Sequence, residues 1–149
     1  MAEIVHKVGV IGLGIMGRRM ITNMVPHPRF EITGAWDPNP QARTDAATET
    51  PGLAIMEDAD AVIADADLVY IATPPLYHRD YADRAMAAEK AVYCEKPLGV
   101  DIEDSRALVA ALEDNWTPNV VNFIQASSRA VTLTKERIDS GALGDIIGV

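Results

Sequence analysis

Two clusters of residues in this chain have types and spacings suited to chemistry. The first is "GLGIMG", which places Gly12, Gly14 and Gly17 in a G-x-G-x-x-G pattern. It follows an apolar run directly and opens a helical pattern, the context in which such glycines hold a pyrophosphate. Gly12 permits a tight turn, Gly14 lets backbone amides approach a phosphate, and Gly17 lets the helix pack close to the strand. Ile15 and Met16 complete the turn, at a helix N-terminus whose free N–H groups suit an anion. The second cluster is "CEKP", in which Glu95, Lys96 and Pro97 follow a short apolar run with no spacer.

Asp37 lies 20 residues after Gly17 and ends the second apolar run. A carboxylate there can accept both ribose hydroxyls of an adenosine and would repel a 2′-phosphate, so it favours NAD over NADP. It also stands in "DPNP", where Asp is an ordinary turn residue. Arg43, six residues further on, is the one nearby cation that would favour NADP if its helix turned it inward. "IATPPLYH" brings Thr73 and Pro74 to another strand end, in position to wall a cofactor, with His78 opening the next helix. On residue type alone His78 reads as a capping or packing residue. Two readings of Glu95-Lys96-Pro97 stay open. It is a surface ion pair of little energetic value, or Lys96 is aimed at a substrate oxygen to assist proton movement.

These residues need elements to position them, and the chain supplies an alternation. Strand-like runs at 6–12, 30–37, 53–56, 67–73, 91–96 and 119–125 are separated by helical patterns at 16–25, 40–49, 57–66, 77–90, 101–114 and 128–141. A further strand is expected to start in 144–149. Asn39 and Pro40 read as an N-cap and first helical residue, and Gly141 as a C′ glycine. Apolar strands alternating with helices predict an α/β fold, a doubly wound parallel sheet covered on both faces. Ligands then bind beyond the carboxyl ends of the strands, where the strand order reverses. Both clusters fall at such ends.

Composition bounds the partners. The chain has 149 residues, of which 48% are hydrophobic, and a net charge of −9. That balance disfavours nucleic acid and anionic membrane surfaces. No apolar run is long enough to span a bilayer. A single cysteine, Cys94, excludes an intramolecular disulfide and fits a reducing, cytoplasmic setting. Three scattered histidines without carboxylates at ligand spacing give no metal site.

Taken together, "VGVIGLGIMGRRM", "WD", "IATPPLYH", "YCEKPLG" and "KERIDSGALGDIIGV" resemble the glucose–fructose oxidoreductase/inositol dehydrogenase/rhizopine catabolism (Gfo/Idh/MocA) family over essentially the whole chain. The resemblance implies a Rossmann domain over 1–126 holding NAD, with NADP second. It further implies that 127–149 form a linker helix and the first strand of a truncated C-terminal substrate domain, the rest of that antiparallel-sheet domain being absent from this chain. Lys96 becomes the catalytic residue, touching a sugar- or polyol-like substrate. Glu95 and Pro97 become its supports beside the cofactor, and Thr73, Pro74 and His78 become cofactor neighbours. The reaction is hydride transfer between nicotinamide and a secondary alcohol, in a full-length enzyme that is a homo-oligomer; this portion alone is expected to bind cofactor and turn over little. A non-catalytic NAD-binding or sensing module is the alternative. In place of the family's "YNRRF"-like substrate stretch the chain reads "NFIQASSRAV". Ile124 and Ala126 occupy the Asn and Arg positions, leaving Asn122, Gln125 or Arg129 as candidate replacements.

Overall fold

The computed structural model describes residues 4–145. Five strands, β1 (His6–Ile11), β2 (Phe30–Trp36), β3 (Leu68–Ile71), β4 (Ala91–Cys94) and β5 (Asn119–Val121), form one sheet in the order β2-β1-β3-β4-β5. Every pairing is parallel. The helices are α1 (Ile15–Met24), α2 (Pro40–Glu49), α3 (Ala59–Ala64), α4 (His78–Ala87), α5 (Ile102–Asp114) and α6 (Arg129–Asp139), with 3-10 turns at Pro75–Tyr77 and Ile124–Ser127.

The alternating side chains of the strands feed two separate cores, one on each face of the sheet. Val8, Val10 and Tyr70 pack with Leu13, Ile21 and Met24 on one face. Ile11, Val69, Ile71 and Val92 pack with Val62, Ala82 and Leu108 on the other. The helix starts follow their sequence signals. Asn39 accepts the Gln41 amide at 2.9 Å, Asp58 the Ala61 amide at 2.8 Å and Asp101 the Asp104 amide at 2.8 Å. By contrast α1 begins at Gly14 with no side-chain cap.

Three expected elements differ. The strand at 53–56 is reduced to one parallel bridge, Ala35↔Ile55. Two hydrogen bonds, Ala35 N to Ala54 O at 2.9 Å and Met56 N to Ala35 O at 3.0 Å, hold it beside β2. Pro51 and Gly52 precede this segment and a capped helix follows it at once, which leaves no length for a ladder. The strand at 119–125 stops at Val121, because a 3-10 turn takes over at Ile124. The helix expected over 77–90 begins at His78, directly after a Pro75–Tyr77 turn, and ends at Ala87. The expected strand at 144–149 lies largely outside the described residues. All three β5 residues are exposed, and α6 buries none of its residues. Among the described residues, no helix is long and apolar enough to cross a membrane.

Candidate functional site

The sheet register brings the functional segments to one edge. Trp36, Ile11, Ile71, Cys94 and Val121 lie in one row across the five strands. The next residues are Asp37, Gly12, Ala72, Glu95 and Asn122, so the glycine turn, the Thr73 loop and the Lys96 loop leave the sheet side by side. The strand order reverses between β1 and β3, the position where such sheets open a crevice.

A cleft of about 660 Å³ opens there, lined by Gly14, Ile15, Met16, Asp37, Thr73 and Pro74, together with residues of the α2 and α4 starts. At its base Gly12 has φ +99°, and an added Cβ would lie 2.6 Å from the Ala72 carbonyl carbon. A Cβ on Gly17 would collide with the Gly12 carbonyl oxygen, so α1 touches the turn backbone to backbone. Gly14 is the opposite case: nothing lies within 4 Å of the position its Cβ would take. The open side of Gly14 and the uncapped start of α1 leave amide donors facing the cleft. Thr73 adds a buried hydroxyl Oγ1 with no hydrogen-bond partner among the described residues. An anion flanked by a polar moiety fits this arrangement, as a dinucleotide pyrophosphate would.

Asp37 serves the turn as well as the cleft. One carboxylate oxygen accepts the Leu13 amide at 2.7 Å and the other the Asn39 amide at 2.8 Å. The Arg43 guanidinium does not turn into the cleft. It donates to the Asp37 carbonyl oxygen at 2.6 Å and lines a separate groove along α2.

At β4 the acidic and basic neighbours part company. Glu95 is buried, 5% exposed, and its Oε1 accepts both the Tyr70 hydroxyl and the Asn122 amide nitrogen at 2.5 Å. Oε2 accepts the backbone amide of Lys96 at 3.2 Å. Tyr93 donates to Asn122 Oδ1 at 2.9 Å, closing a four-residue network beneath the strand ends. Burial, and then Glu95, push the Tyr70 hydroxyl well above its ordinary value of 10.0, so it stays a donor. Lys96 is exposed, and among the described residues its ammonium makes no ion pair. The surface Glu95–Lys96 pair considered from sequence is therefore not formed: the carboxylate points inward to the Tyr70 and Asn122 donors, and the lysine is left exposed beyond the end of β4. Glu95, Lys96 and Pro97 do not line the cleft.

His78, read from its type as a capping or packing residue, is fully buried at the start of α4, and its Nε2 donates to the carbonyl oxygen of Thr73, which lines the cleft, at 2.7 Å. Asn122 is 6% exposed with both ends of its amide engaged, so it cannot replace a substrate-facing residue, whereas Gln125 and Arg129 are exposed. Sequence reasoning missed Tyr70, Tyr93, Tyr77 and Tyr81. The first two looked like ordinary strand residues, and the last two reach the cleft only because the Pro75–Tyr77 turn swings them there.

A five-stranded parallel sheet, a glycine turn at the point of strand reversal and a strand-end carboxylate beside it define a dinucleotide-binding domain of Rossmann type. The chain belongs to the Gfo/Idh/MocA oxidoreductase family, whose description is an oxidoreductase family with an NAD-binding Rossmann fold and whose pattern matches residues 6–123. It is 35% identical over 146 residues to an inositol 2-dehydrogenase of Rhodococcus erythropolis, covering 93% of this chain and 41% of that protein. It is 33% identical over 151 residues to a levoglucosan dehydrogenase of Pseudarthrobacter phenanthrenivorans, covering 95% of this chain and 39% of that protein. Among solved structures, the scyllo-inositol dehydrogenase of Lactobacillus casei with bound NAD(H) and scyllo-inositol superposes with a TM-score of 0.83 at 27% identity. That match covers 95% of this chain and 43% of the other. The chain thus spans well under half the length of these relatives.

Proposed function

We propose that this chain is the NAD-binding portion of a dehydrogenase that moves a hydride between nicotinamide and a secondary alcohol of a sugar or polyol. The observation that carries the reading is the cleft itself. It is lined by the uncapped start of α1, at the open side of Gly14, and by Asp37. In this reading Gly12, Gly14, Ile15, Met16 and Gly17 hold the pyrophosphate, Asp37 takes the adenosine ribose, and Thr73 and Pro74 wall the nicotinamide side. NAD is preferred over NADP because Arg43 is engaged behind Asp37 and a 2′-phosphate would meet a carboxylate. When bound, the nicotinamide supplies the hydride acceptor or donor.

Lys96 is the proposed catalytic residue. Its side chain is exposed and makes no ion pair with Glu95, so its nitrogen can hydrogen-bond to the substrate oxygen, taking the hydroxyl proton as the neutral amine when the alcohol is oxidised and returning it as the ammonium when the carbonyl is reduced. Pro97 fixes the exit of its loop, and Glu95 anchors the Lys96 backbone from below. Residues 127–149 lead toward a substrate domain of the kind that the longer relatives would carry. The exposed α6 supports that placement.

The test is calorimetric titration of the chain with NAD and NADP, repeated on Lys96→Ala. Saturable NAD binding tighter than NADP, retained in Lys96→Ala, is expected. Joined to its substrate domain, the same variant is expected to lose turnover by about two to four orders of magnitude, the range of a lost acid–base group. Absence of binding by either dinucleotide would overturn the assignment of the cleft.

A further inference from the structure

His78 stands at a junction that the cleft reading leaves unused. Its ring is completely buried, at 0% exposure, at the first position of α4. Nε2 lies 2.7 Å from the carbonyl oxygen of Thr73, on the loop that walls the cleft. Nδ1 lies 3.3 Å from the carbonyl oxygen of Leu98, on the loop that carries Lys96 and Pro97. A carbonyl oxygen only accepts, so the shorter contact makes Nε2 a donor to Thr73, while at 3.3 Å the Nδ1 edge of the ring is in van der Waals contact with the Leu98 carbonyl. The two loops leave neighbouring strands, β3 and β4, from the same register row. The Thr73 carbonyl would otherwise lack this donor in a partly buried setting, where an unpaired carbonyl is costly. A packing residue would need no polar atoms here. The imidazole presents a donor to one loop and a rigid ring edge to the other.

We propose that His78 is a positioning residue that is tied to the cofactor-wall loop and braces the lysine loop against it, so that occupation of the cleft is felt at residues 98–100. The inference rests on the reading of the cleft as an NAD site. Contact with NAD at Thr73 and Pro74 restrains the Thr73 carbonyl. The ring, wedged between two carbonyls, passes that restraint to Leu98, and through it to the backbone that sets the reach of Lys96. His78 touches neither cofactor nor substrate and acts only through these two carbonyls.

The experiment is hydrogen–deuterium exchange of the 149-residue chain with and without saturating NAD, on the wild type, His78→Leu and His78→Gln. In the wild type, NAD is expected to slow exchange both at 12–17 and at the amides of 98–100. In His78→Leu the protection at 12–17 persists, the protection at 98–100 disappears, and NAD binds about tenfold more weakly, the effect of one lost hydrogen bond. His78→Gln has one amide that can serve Thr73. It is expected to keep near-normal NAD affinity while still losing the protection at 98–100. This second variant carries the test if His78→Leu fails to fold. Protection at 98–100 that survives in either folded variant would mean that NAD reaches that loop directly, and would overturn the role of His78. Wild-type protection at 12–17 without protection at 98–100 would overturn it as well. No NAD protection at 12–17 in the wild type would remove the cleft reading itself, and this inference with it.

Discussion

Asp37 and Leu13 are 24 residues apart in sequence, and the Asp37 carboxylate accepts the Leu13 amide at 2.7 Å. The group proposed to select the cofactor thus also holds the glycine turn in shape. In Asp37→Asn the amide can accept from only one of the two backbone donors, Leu13 N or Asn39 N, and turns its own N–H₂ toward the other. A loss of about 2 kcal/mol in stability is expected, the scale of a hydrogen bond to a charged acceptor. Denaturant unfolding reads that loss. Titration with both dinucleotides should show the preference for NAD over NADP narrowing, and an unchanged preference would remove Asp37 from its proposed role.

Gly14 and Gly17 separate binding from folding. An alanine at 17 would drive its Cβ into the Gly12 carbonyl oxygen. Gly17→Ala should therefore cost about 3 kcal/mol or fail to fold, since the obstacle is backbone and cannot rotate away. Gly14 has φ −67° and open space at its Cβ position. Gly14→Ala should leave the melting curve within about 0.5 kcal/mol of wild type yet weaken NAD binding sharply. Full NAD affinity in Gly14→Ala would mean that the pyrophosphate lies elsewhere.

Alkaline pH should find the buried tyrosines. The hydroxyls of Tyr70, Tyr81 and Tyr93 are all held above the ordinary value of 10.0, chiefly by burial. Above pH 10 the unfolded chain releases these protons while the folded chain keeps them. Their contribution to stability is therefore present up to about pH 10 and is lost as pH rises toward the folded values. Unfolding free energy measured between pH 9 and 11 should fall, and Tyr70→Phe should fall less steeply. Equal slopes for the two proteins would contradict the placement of Tyr70 beside Glu95.

Cys94 reports on the same region. It is 2% exposed, and its thiol is pushed up to about 12, first by burial and then by Glu95. The reactive thiolate is therefore scarce at neutral pH. A disulfide reagent at pH 8 should leave the folded chain unmodified and label it fully in urea. Rapid labelling without denaturant would show that the end of β4 opens on its own.

What could be read from the residues was local. The glycine turn, the Asn39 cap with Pro40 behind it, and Gly141 at φ +73° each depend on a few neighbouring positions, and each stands where its residue types place it. The segment at 53–56 failed as a strand because its apolar pattern speaks of burial. Leu53 and Ile55 do pack on the core without the length to make a ladder. At the site, the fate of Glu95 was hidden because its partners, Tyr70 and Asn122, are 25 and 27 residues away. From the dipeptide alone its neighbour Lys96 looked like the natural partner. His78 was legible as a helix-start residue, but its two carbonyl neighbours become apparent only when two loops are folded over it.

The pairing of β1 with β3 carries a kinetic consequence. Val8 meets Leu68 across 60 residues of chain, and the cleft opens at this join. Closing a longer loop costs more entropy, by roughly 0.6 kcal/mol for each doubling, and chains dominated by distant pairings fold slowly. The β1–α1–β2 unit, with His6 beside Phe30, closes a much shorter loop. The glycine turn can thus take shape early while its opposite wall arrives late. Dinucleotide recognition should then appear only with the last step of refolding, and stopped-flow mixing that monitors NAD binding should lag behind the recovery of helical circular dichroism.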